Sequence, residues 1–145
     1  LLAIMARSKP AQLESFCKRF QISQNICSEL IQEKVSVEDI ANRWYQQLPP
    51  KNSVIYNTLA PFSNDALLYL MAISRKNEIK KNVPFYVTSL RIAQPILNCN
   101  DLIQLGLLPG RRFQKMLIAL LDAQLDGEVN DREKALQFIR DNFSV

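Results

Sequence analysis

Apolar residues recur along this chain at the three-to-four-residue spacing of helices, and no convincing two-residue alternation of strand type appears. Leu13, Phe16, Cys17 and Phe20 form the first stripe, and Pro10 suits the first turn of that helix. Ser23 is placed to cap a second helix whose inner side is Ile26, Cys27, Leu30 and Ile31. Ser36 and Asp39 resemble a capping box, which predicts that a third helix opens there and carries Val37, Ile40, Ala41, Trp44 and Leu48 inward. Pro49 and Pro50 end it. A short helix follows over Val54, Ile55, Thr58 and Leu59. The run Ser63, Asn64, Asp65 then caps a strong one carrying Ala66, Leu67, Leu70, Met71 and Ser74. The next stripe is Ile79, Val83, Tyr86, Val87, Leu90 and Ala93. Pro84 lies inside it, which predicts either a kink or a start near Asn82.

The stretch 98–127 has the clearest form. A short apolar turn from Asp101 to Leu105 ends at Gly106. Leu107 and Leu108 follow, then the Pro109–Gly110 break and two arginines. A long stripe of Phe113, Met116, Leu117, Leu120 and Leu121 stops at Gly127, which suits a left-handed C-cap. Asn130 and Glu133 make a capping pair for a last helix with Ala135, Phe138, Ile139 and Phe143 inward. The predicted fold is all-α and multi-helical. Residues 1–95 read as a helical body region and 96–145 as a helical tail region, or the two as one continuous domain. LLAIMARSK (1–9) echoes LLYLMAISR (67–75); a helical repeat and coincidence in a leucine-rich chain both account for it.

Composition narrows the chemistry. With 145 residues, 48 % of them hydrophobic, the chain can build one domain or two small ones. No apolar run reaches the roughly 20 residues of a membrane span. The opening at Leu1 falls in mid-pattern and reads as a cut from a longer protein. The absence of histidine and of any Cys-x-x-Cys pair removes Cys/His zinc sites and every histidine-dependent triad. Cys17, Cys27 and Cys99 are isolated, as expected of core thiols in a reducing cytoplasm. Asp122, Asp126 and Glu128 read as solvated acids at a helix C-terminus, and no metal is assigned to them.

Charge is unevenly spread. Between 73 and 118 stand Arg75, Lys76, Lys80, Lys81, Arg91, Arg111, Arg112 and Lys115 against Glu78 and Asp101 alone, and acids prevail after 119. Such a block suits a polyanion, and equally a solvated helical face. Gly110 precedes the long helix whose first residues are Arg111 and Arg112. Unpaired first-turn N–H groups, the positive end of the helix dipole and two guanidinium groups make a phosphate seat; the bland reading is a loop–helix junction with two exposed arginines. Among the aromatics, Trp44, Tyr86 and Phe113 fall on core stripes. Tyr45 and Tyr69 fall off them and are candidates for stacking on bases.

Asp101-Leu102, Leu105-Gly106-Leu107-Leu108-Pro109-Gly110 and Leu125-Asp126-Gly127-Glu128, preceded by YVTSLRIAQP (86–95), resemble the C-terminal region of bacterial tRNA nucleotidyltransferases, that is, the CCA-adding enzymes and their poly(A) polymerase relatives. The specific part covers some thirty to forty residues. Cys99 stands where the family usually has Gly, Arg111 where it has Pro and Gln114 where Gly is frequent. The resemblance implies a helical body and tail that grip tRNA in the cytoplasm. It implies a separate catalytic head, with a Gly-Ser motif and two Asp residues that hold Mg²⁺ and act on ATP or CTP. This chain carries neither Gly-Ser nor Asp-x-Asp. The RNA-contacting residues expected first are Gly110, Arg111, Arg112 and Lys115, then Arg75, Lys76, Lys80, Lys81 and Arg91. No catalytic residue is expected. The competing reading is a helical protein–protein module without RNA binding.

Overall fold

The computed structural model describes residues 8–44 and 50–143. Among them are eight α-helices, one π-helical turn and no strand. The helices are α1 (Pro10–Arg19), α2 (Gln24–Trp44), α3 (Asn52–Leu59), α4 (Asn64–Ile73), α5 (Asn77–Phe85), α6 (Cys99–Gln104), α7 (Arg111–Leu125) and α8 (Arg132–Phe143). The all-α expectation holds. The echo over 1–7, and Tyr45, Leu48 and Pro49, lie outside the described residues. No described helix is long and apolar enough to cross a membrane.

The chain divides into two compact units. One comprises Leu1–Pro50 with Leu59–Phe85, the other Lys51–Thr58 with Tyr86–Val145. In the first, α1 packs on α2, α2 on α4 and α4 on α5. Leu13, Cys17, Val37, Ile40, Ala41, Trp44, Leu67 and Leu70 are buried there. The predicted boundary at Ser36 is absent, because α2 runs unbroken through it. The Ser36 hydroxyl donates to the Gln32 carbonyl (2.9 Å) inside the helix, the usual use of a mid-helix serine. Phe20 also departs from expectation. It caps the end of α1, is 60 % exposed and leans on Phe16, with ring centroids 4.4 Å apart. Ser63 caps α4 as predicted, its hydroxyl accepting from Ala66 N–H (3.1 Å).

Tyr69 is not available for stacking on a base. It is fully buried, and its hydroxyl donates to Glu38 (2.7 Å), which also pairs with Lys34. Burial works against the charge of Lys34, but its bonds with Glu38 and Tyr69 outweigh that and raise its pKa. Burial likewise opposes the charge of Glu38, and the same two partners hold its pKa below the ordinary glutamate value.

Pro84 sits inside α5, which starts at Asn77 and not near Asn82. The proline lacks an N–H and crowds the preceding turn. A π-helical turn, Tyr86–Leu90, follows directly, closed by Arg91 N–H to the Tyr86 carbonyl (2.8 Å).

In the second unit Leu97, Leu102, Phe113, Met116, Leu120, Ala123, Val129, Ala135 and Ile139 form the core, with Phe138 and Phe143 partly buried against it. The cap of α8 is Asp131, which accepts the Lys134 N–H (2.8 Å); Asn130 instead accepts from the Lys134 side chain. The prediction was one residue early because Asn and Asp cap equally well in sequence. Cys17 and Cys27 are buried as expected, but Cys99 is exposed at the start of α6.

Candidate nucleic-acid interface

The site at the start of α7 is built by two helix ends. Asn98 caps α6 and forms a capping box with Asp101. The helix stops with Gly106 at φ 84°, where Gly106 N–H reaches the Ile103 carbonyl (2.9 Å) and Leu107 N–H the Leu102 carbonyl (3.2 Å). That pair of bonds is a Schellman ending, and the left-handed backbone explains the glycine. The chain then passes Leu107, Leu108 and Pro109 to Gly110, the N-cap of α7, which is extended (φ 174°). A Cβ on Gly110 would meet nothing within 4 Å, so neither backbone strain nor crowding requires glycine here.

Arg111, Arg112 and Lys115 are exposed, and none of the ion pairs among the described residues engages them. Helix geometry separates the arginines. Successive residues point about 100° apart, so Arg111 shares a stripe with Lys115 one turn on, and Arg112 faces elsewhere. The seat therefore combines the Arg111 and Arg112 N–H groups at the start of a 15-residue helix, the Phe113 N–H being taken by the Gly110 carbonyl (3.0 Å), with the Arg111–Lys115 stripe. An anion is the ligand such an arrangement attracts.

The other sequence candidates fall as follows. Arg91 is exposed in the second unit and carries positive charge close enough to Tyr86 to act on its hydroxyl. Arg75, Lys76, Lys80 and Lys81 belong to the first unit. Lys76 is half-buried and donates to the Trp44 carbonyl (3.2 Å), whereas Arg75, Lys80 and Lys81 are exposed.

The acids of the stretch hold the fold together. The Asp101 carboxylate accepts the Asn98 N–H (2.8 Å) and pairs with Arg132, joining α6 to α8. Those two partners hold its pKa below the ordinary aspartate value. Asp126 corrects the expectation of a solvated acid, since its side chain is 9 % exposed. It accepts both the N–H (2.9 Å) and the hydroxyl (2.7 Å) of Ser53, and so caps the first turn of α3 from across the unit. Asn52 donates to the Leu125 carbonyl (2.9 Å) and Asn57 to Asp122 (2.8 Å). Burial opposes the charge of Asp126, yet Ser53 and Lys51 together hold its pKa low. No sequence signal named Ser53 as the partner, because 73 residues separate the two. Among the described residues no group of three or more His, Cys, Asp or Glu is arranged to hold a metal ion.

No protein-family model matches the chain, and no solved structure does. The chain is 30 % identical over 125 residues, 83 % of its length, to the A-adding tRNA nucleotidyltransferase of Geobacter sulfurreducens. It is 28 % identical over 109 residues, 75 % of its length, to the A-adding tRNA nucleotidyltransferase of Halalkalibacterium halodurans. It spans 14 % and 25 % of those two proteins. The chain is thus similar to one portion of A-adding tRNA nucleotidyltransferases.

Proposed function

We propose that this chain is the tRNA-gripping part of a nucleotidyltransferase that adds to or repairs the 3′ end of tRNA. The chemistry is carried out by a separate head domain of the parent protein, where nucleotide and Mg²⁺ bind. The observation that carries this reading is the Arg111–Lys115 stripe at the N-terminus of α7, charged, exposed and free of ion-paired acids in a chain similar to tRNA nucleotidyltransferases. Arg111, Arg112 and Lys115 take backbone phosphates; Arg75, Lys80, Lys81 and Arg91 are further contacts. A protein that must accept every tRNA grips it by phosphates and shape, which carry no sequence preference. The names of the relatives favour addition of A as the parent reaction. The cytoplasm, where tRNA is matured, is the fitting compartment.

Titration with tRNA over a range of salt tests this. Affinity is expected to fall steeply with salt, and each lost phosphate contact lowers the logarithmic slope by roughly one. Arg111→Ala with Arg112→Ala should flatten the slope and leave helical content unchanged. Equal binding by the double variant would remove these residues from the interface. No binding by the wild type at low salt would favour a protein–protein module.

A further inference from the structure

The side of α7 beside the phosphate seat carries an open apolar groove of about 590 Å³. Pro95, Ile103, Pro109, Phe113, Leu117 and Ile118 line it, and Gln114 is one of its few polar side chains. Ile103 and Ile118 leave 47 % and 49 % of their surfaces exposed. Ile118 stands outside the stripe that fills the core, so its apolar character is not explained by the packing of α7. On a helix Arg111, Gln114, Lys115 and Ile118 are one- and two-turn neighbours, so the unpaired cations border the groove.

An aliphatic peptide side chain would use the walls and leave the cations idle. A lone anion would use the cations and leave the walls wet. A nucleotide uses both, with a flat apolar face and a phosphate one short linkage apart. The volume lies within the roughly 300–1,000 Å³ range of sites that hold small ligands. We propose that the groove holds an unpaired nucleotide of the bound RNA. Its base rests on Ile103, Pro109 and Ile118, Gln114 meets the base edge, and Arg111 and Lys115 take the adjoining phosphate. This rests on the RNA-binding reading above and adds a base contact to it. Aliphatic walls accept any base face, so the contact is expected to tolerate sequence.

The probe is a single-stranded RNA oligonucleotide carrying 2-aminopurine, titrated into the full chain. Binding should raise 2-aminopurine emission as the base leaves its neighbours. Ile103→Ser with Ile118→Ser should lower affinity about tenfold and abolish the rise while keeping the salt slope. Gln114→Ala, an exposed change harmless to folding, should weaken binding and leave the slope equally unchanged. Wild-type binding that neither variant alters overturns the groove assignment and leaves phosphate binding standing. No wild-type binding at all overturns the RNA reading itself. Wild-type self-association in sedimentation, lost in the serine variant, would assign the groove to a second copy of the chain and overturn the proposal.

Discussion

The two units of this protein hold themselves together differently. The first is organised by a 21-residue helix, α2, long enough to present several turns to its neighbours. One polar cluster, Lys34, Glu38 and Tyr69, ties α2 to α4, while the buried Ser74 hydroxyl has no hydrogen-bond partner among the described residues. The second unit contains α3 and α6, of eight and six residues, too short to persist on helical propensity. Polar side chains tie these short pieces to longer ones. Asp126 and Asp122 hold α3, Arg132 holds α6 through Asp101, and Gln124 grips the chain at Gln94 and Ile96. A short helix thus needs a partner at its end as much as a partner on its face.

Asp126→Ala should therefore have the larger effect, destabilising the second unit by about 2 kcal/mol, because it removes both a cap and a buried hydrogen-bond acceptor. Chemical denaturation measures the loss, and faster amide exchange in α3 would place it. A loss no larger than at an exposed site would break the comparison. Acid should act on the same ties. Asp101 and Asp126 have native pKa values below the ordinary 3.8, so their contribution is complete above that pH and drains away as pH falls further. Thermal melts from about pH 5 to about pH 3 should show the decline, and Asp126→Asn should shallow it.

In the first unit Tyr69→Phe removes one bond to Glu38 and should cost about 1 kcal/mol, with native-like circular dichroism. The smallest expected effect has the opposite sign. Helix α1 ends in the same Schellman geometry as α6 and α7, with Ile22 N–H on the Cys17 carbonyl (2.9 Å), but Gln21 occupies the left-handed position at φ 54°. Gln21→Gly should stabilise by about 0.5 kcal/mol, the relief of a side chain in that region less the added freedom of the unfolded chain. A loss of stability would mean that the glutamine side chain contributes something the backbone geometry does not reveal.

The sequence made most of the helices legible because their apolar stripes are strong. It failed where two local signals were equivalent. Ser36 reads as a cap by type and spacing, yet the stripe continues through it, and packing of α2 decided the matter. Asn130 and Asp131 are both good caps, and only the chain path selected Asp131. Pro84 announced an irregularity, though not that the helix would run past it before widening. At the candidate site the cations and the glycine were visible in one dimension. The groove was not, because its wall combines Pro95 and Ile103 with residues of α7 that meet them only after folding. Ile118, apolar, off the core stripe and half exposed, marks it only once the helix is in place.

Asp101, Leu102, Gly106, Asp126 and Gly127, the most recognisable letters of the 98–127 stretch, all have architectural tasks: capping, filling or turning the chain. The cations lie between them and carry no such task. Shape and charge can therefore diverge: a relative that kept those five letters and replaced the basic ones would retain this shape and, on the reading proposed above, lose its hold on RNA.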